Sequence, residues 1–172
     1  MKKTLILLTL TLLAITPAAF SVTYTGSLST PTGVSATDGW TSPNDGFVIS
    51  WEITQQGDGN WYYLYNITNE DGNDLRKAVS HGIFEISDNA TASDFWGAST
   101  TWEINTYSDA SPSNPYMPGA MYGIKLDNNS PFSFYSSKAP TWGDFYAKDG
   151  KEGGPNGIFA TAWNADFLDA DP

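Results

Sequence analysis

The chain has no cysteine and a single histidine among its 172 residues. Disulfide staples, thiolate metal sites, thiol catalysis and thiol redox switching are therefore excluded. A zinc site built on nitrogen and sulfur fails too, because one imidazole leaves too few donors. A Ser-His-Asp triad would have to use His81, which sits in a strand-like pattern with no Gly-x-Ser-x-Gly turn beside it. His81 is expected to be a hydrogen-bonded residue on a sheet face. Positive charge is scarce: Lys and Arg number 8 against 19 for Asp and Glu. Charge blocks, internal repeats and low-complexity stretches are also missing. After the leader, no segment longer than about ten residues repeats its apolar positions every 3.6 residues, so no substantial helix is expected.

What is present begins with that leader. Lys2 and Lys3 precede an apolar run from Leu5 to Ile15, broken only by Thr9 and Thr11. Small residues follow at Ala18, Ala19 and Ser21. This is the order of a secretory signal peptide. The expected leader is residues 1–21, cut between Ala18 and Ser21. A membrane anchor is the alternative, but the run is short for a bilayer and Pro17 follows it. Residues 22–172 then form one exported domain, long enough for a real core. Without Lys2 and Lys3, six basic residues face 19 acidic ones, a net charge of about −13. A surface this acidic repels phosphate backbones and anionic bilayers. Nucleic acid is thus not an expected partner, nor is membrane insertion of the mature form. Divalent cations and neutral or cationic polymers fit the charge.

Aromatic residues make up 15% of the chain, with 16 Gly and 10 Pro. Large rings favour strands, and Gly and Pro punctuate a many-turned β protein. Gly46 to Thr54 alternates, with Phe47, Ile49, Trp51 and Ile53 on one face. Trp61 to Thr68 alternates likewise, with Trp61, Tyr63, Tyr65 and Ile67 together. Between them, Gln56-Gly57-Asp58-Gly59-Asn60 reads as a turn, so the two runs predict a hairpin. Further strands are predicted at Val22 to Ser27, Ala78 to Ser87, Thr100 to Thr106, Ala120 to Asp127, Phe132 to Ser137, Trp142 to Ala147 and Ile158 to Asn164. A short one is expected near Val34, and a helical turn at Ser93 to Trp96. Val79, Ile83, Phe84 and Ile86 are core candidates, as are Trp102 and Ile104. Eight or nine short strands imply an all-β, antiparallel β-sandwich or jelly-roll-like domain, with an open barrel as alternative.

Several runs carry a resemblance. They are Asp45-Gly46-Phe47-Val48-Ile49-Ser50-Trp51, Pro115-Tyr-Met-Pro-Gly-Ala-Met-Tyr-Gly-Ile-Lys-Leu126, Ala139-Pro-Thr-Trp-Gly-Asp-Phe-Tyr-Ala-Lys-Asp-Gly-Lys151 and Ala162-Trp163-Asn164. In order, over most of the domain, they resemble the ectodomains of bacterial PEP-CTERM proteins. The resemblance implies export from a Gram-negative cell and a place at the cell surface or in the extracellular matrix, without an assigned enzymatic activity. The family's sorting tail has a Val-Pro-Glu-Pro-type motif, an apolar helix and a basic cluster. These residues end instead at Asp169-Ala170-Asp171-Pro172.

Three chemistries remain open. Glu52, Glu85 and Glu103 lie on predicted strands, and two of them across a cleft would suit glycoside hydrolysis. Glu70, Asp71, Asn73 and Asp74 offer hard oxygens for calcium, although their spacing is not that of an EF-hand. Asp127, Asn128 and Asn129 form a second acidic group, and Asp144 and Asp149 flank a third. Trp40, Tyr62, Trp96, Tyr116 and Trp142 are candidates to stack on sugar rings, with core caps as the plainer reading. The expectation is a non-enzymatic surface or matrix protein associating with exopolysaccharide. The alternatives are a carbohydrate-binding module with structural calcium, or a glycoside hydrolase.

Overall fold

The computed structural model describes residues 21–42, 44–109, 113–128, 130–150 and 158–169. Residues 1–20 of the expected leader lie outside that range, as do Asn129 and residues 151–157. Among the described residues no helix is long and apolar enough to cross a membrane.

The chain is an antiparallel β-sandwich. Eleven strands are described: β1 (Thr23–Ser29), β2 (Val34–Ala36), β3 (Val48–Gln55), β4 (Trp61–Thr68), β5 (Val79–Glu85), β6 (Phe95–Trp96), β7 (Trp102–Tyr107), β8 (Met121–Asp127), β9 (Phe132–Ser136), β10 (Phe145–Asp149) and β11 (Thr161–Asn164). One sheet runs β1-β3-β4-β9-β6 and the other β2-β11-β10-β5-β8-β7. We call these the first and second sheets.

The predicted hairpin forms in register, from Val48 opposite Thr68 to Gln55 opposite Trp61. Its turn is tied by Asp58, whose Oδ1 accepts the Asn60 amide at 3.0 Å, while Gly59 takes φ of +87°. Along β4, Trp61, Tyr63 and Ile67 are buried and Tyr65 half-buried on one face, while Tyr62, Leu64 and Thr68 are half-buried and Asn66 exposed on the other. The first sheet therefore keeps one dry and one wet face.

The second sheet differs, because both its faces are covered. Phe84, Ile124, Leu126, Phe145 and Ala147 belong to the inter-sheet core. Ile83, Tyr107, Met121 and Tyr146 form a second apolar cluster with Met117 and Phe167. The segment 113–119 lies on that outer face, where the Tyr146 hydroxyl donates to the Pro115 carbonyl at 2.8 Å. This is why Ile83 and Phe84 are adjacent yet both buried, a pattern that simple alternation does not predict.

Three expectations shift. The helical turn sits at Ala92–Asp94, where the Asp94 carboxylate accepts the Thr91 amide at 2.8 Å. Phe95 and Trp96 then pair with β9 as an additional strand. Phe95 packs edge-on against Phe134, with centroids 5.7 Å apart, and this burial pulls the residue out of the turn. Trp102 and Ile104 are only half-buried, because β7 is an edge strand.

The sheets meet through rings. Tyr65 of β4 stacks on Phe84 of β5 at 4.1 Å, and Phe84 meets Phe132 of β9 edge-on at 5.9 Å. Phe47 stacks on Phe145 at 6.0 Å. Phe84→Ala is expected to cost about 3–5 kcal/mol in urea unfolding. Glu52→Ala, on the wet face of β3, should change stability by no more than about 0.5 kcal/mol.

Candidate functional site

A cleft of about 590 Å³ opens between the two sheets where β5 and β11 end and β10 begins. That volume lies in the range of small-ligand sites. Leu28, Ile49, Trp51 and Ile53 from the first sheet line one side, and Tyr65 and Phe84 lie inward. Trp142, in the segment before β10, is 66% exposed and meets Trp51 edge-on, with centroids 6.1 Å apart. Two indoles thus stand at right angles at one opening.

The position of Trp51 depends on Gly26, its partner across the β1–β3 ladder. A Cβ at position 26 would lie 2.3 Å from Cζ2 of Trp51, so the indole rests directly on the glycine backbone. Sequence reading placed Trp51 with the core; nothing in its own strand signals the glycine opposite.

The other lining of the cleft is acidic, formed by Glu85, Asp144, Asp166 and Asp169. Asn164 organises it. This buried amide donates from Nδ2 to Asp144 at 2.5 Å and to Asp166 at 2.9 Å. Its Oδ1 accepts the Phe145 amide at 3.0 Å. Glu85 Oε2 accepts the Asp144 amide at 2.8 Å. Among the described residues that line the cleft there is no Lys, Arg or His.

The sequence candidates scatter. Trp142 is in the cleft. Trp40 is not a sugar-stacking residue: it is fully buried, donates Nε1 to the Lys77 carbonyl at 3.0 Å and packs on Phe47 at 5.1 Å. Its place in the short turn Asp38–Trp40 directs the ring inward. Tyr62 and Trp96 come together on the wet face of the first sheet, joined by Tyr135, which sequence reading missed. The three align across β4, β9 and β6. Tyr62 and Tyr135 are 4.9 Å apart, and Trp96 stacks beside Tyr135 at 6.2 Å. Tyr116 is 61% exposed, with φ of +63°, and is not among the cleft residues.

Of the three glutamates, only Glu85 lines the cleft. Glu52 is on the wet face of the first sheet, and Glu103 pairs with Lys125 at 3.3 Å on edge strand β7. They do not form the catalytic pair the sequence allowed. The loop Glu70, Asp71, Asn73 and Asp74 is organised by Asn69, whose Oδ1 accepts the Asp71 and Asn73 amides at 3.0 and 2.8 Å. Glu70 turns away to accept from Thr30 Oγ1 at 2.9 Å. The described residues contain no group of three or more His, Cys, Asp or Glu placed to hold a metal ion. In the second acidic group, Asp127 pairs with Lys125 at 3.2 Å. Asp144 and Asp149 sit at opposite ends of β10, so the third group is split.

Comparison of the chain with protein-family models, curated proteins and solved structures finds no match. Function is therefore read from the side chains. The cleft presents flat apolar surface at one side and fixed carboxylates at the other. That combination suits a ligand with apolar faces and polar or cationic edges.

His81 is buried on the outer face of the second sheet, with Nε2 3.1 Å from Asn114 Oδ1 and its ring near Tyr146. It sits between Lys148 and Asp127 in the ladder. Burial pushes its pKa down to about 4, helped by the positive charges of Lys125 and Lys148; Asn114 and Asp127 act weakly the other way. The unfolded chain takes up this proton near 6.5, the ordinary value, and the folded chain only near 4. Stability from neutral His81 is thus complete above pH 6.5 and is lost as pH falls through about 4. The loss reaches at most about 3 kcal/mol. Melting curves of His81→Gln should show a smaller drop than the parent over that window. Gly26→Ala should lower the urea midpoint by an amount equivalent to about 1–3 kcal/mol, because the new methyl collides with Trp51.

Proposed function

We propose that this is an exported, non-enzymatic β-sandwich protein of PEP-CTERM type that holds polysaccharide in the inter-sheet cleft at the cell surface or in the extracellular matrix. The observation that carries the reading is the right-angled pair Trp51 and Trp142 at the mouth of the cleft. Pyranose rings have apolar C–H faces that pack on indoles and polar rims that meet carboxylates and amides. The leader, the acidic composition and the resemblance to PEP-CTERM ectodomains support the export and surface parts of the reading.

A second reading keeps the ligand class and moves the contact to the row Tyr62, Tyr135 and Trp96. The alignment of that row across three neighbouring strands favours it.

Affinity electrophoresis through gels cast with a panel of soluble polysaccharides tests both. The parent should be retarded by at least one polymer, and Trp142→Ala should weaken that retention about tenfold or more. If Trp96→Ala abolishes retention instead, the second reading holds. No retardation on any polymer would remove the polysaccharide proposal, and release of new reducing ends would overturn the non-enzymatic part.

A further inference from the structure

We infer that the cleft takes a glycan bearing protonated amino groups rather than a neutral or uronic one. This rests on the polysaccharide reading above and adds the chemical class of the sugar. The cleft is not merely acidic at its edge. Glu85, Asp144 and Asp166 come from three different parts of the chain and are held by hydrogen bonds within one wall. Asn164, only 6% exposed, spends both amide hydrogens on two of these carboxylates and its oxygen on the backbone of β10. Asp169 adds a fourth carboxylate, and the described lining supplies no cation. Gathering like charges around one cavity raises its affinity for positive charge.

The indoles act in the same direction, because a tryptophan face attracts a cation. A neutral pyranose would use the rings but draw no charge attraction from the carboxylates. A uronic acid polymer would be repelled by them. An amino sugar uses both surfaces at once: its ring face meets the indole and its ammonium group meets the carboxylates.

A basic peptide would share the charge but not the geometry. Extended peptides bind β proteins by adding to an open sheet edge. The described lining draws on β3, β4, β5, β10 and β11, each already paired on both sides within its sheet, and on edge strand β1 only through Leu28. It offers chiefly side-chain surface rather than a sheet edge.

The test is titration of the purified protein, followed by tryptophan fluorescence in mildly acidic buffer. The probes are a β-1,4-linked glucosamine oligomer, its fully N-acetylated counterpart, a neutral glucan oligomer and a lysine oligomer. The glucosamine oligomer should bind about tenfold or more tighter than the acetylated one, and raised salt should shrink the difference. The double variant Asp166→Asn with Asp169→Asn, checked for folding by circular dichroism, should erase the difference while still binding the acetylated oligomer. Trp142→Ala should weaken both oligomers. Equal binding of the free-amine and acetylated forms would overturn this inference and leave the polysaccharide reading standing. Binding of none of the glycans would remove that reading as well. A lysine oligomer bound as tightly as glucosamine would overturn the assignment in favour of a basic peptide.

Discussion

Two sheets with no covalent tie must be held together by packing, and here that packing is largely ring against ring. Tyr65 on Phe84, Phe84 against Phe132 and Phe47 on Phe145 join the first sheet to the second. Burying large aromatic rings is the strongest resource left to a small domain without disulfides. The same constraint positions the cleft. Tyr65 and Phe84 belong at once to the interior and to the lining of the opening. The wall of the candidate site is therefore a continuation of the core, and its shape is as firm as the packing behind it.

The acidic wall follows from strand order. In the second sheet β5, β10 and β11 are neighbours. Phe145 lies opposite Phe84, and Tyr146 opposite Trp163. The end of β5, the start of β10 and the end of β11 must then meet at one end of the sandwich. Glu85, Asp144 and Asp166 occupy those ends, so residues distant in sequence become one surface. Their mutual repulsion is offset by amide donors, from Asn164 and from the Asp144 backbone.

Much of the fold was legible because one-faced strands leave a period of two. The β3–β4 hairpin, its turn and its inward residues all follow from that signal. The second sheet was harder to read. It is covered on both faces, so apolar residues at Ile83 and Phe84 run consecutively and hide which face each serves. Trp40 looked like an exposed loop aromatic because nothing local shows that Lys77 supplies a carbonyl for its ring nitrogen. The aromatic half of the site was partly visible in Trp142. The acidic half was not, since the partners of Glu85 are brought to it only by register between distant strands.

Double coverage of the second sheet also orders how the molecule opens. β5 and β10 are each hydrogen-bonded to strands on both sides and shielded above and below. Their amide hydrogens have the longest route to solvent deuterium, whereas those of edge strand β1 have a short one. The slowest exchange is thus expected at the centre of the second sheet, where strands far apart in sequence lie side by side.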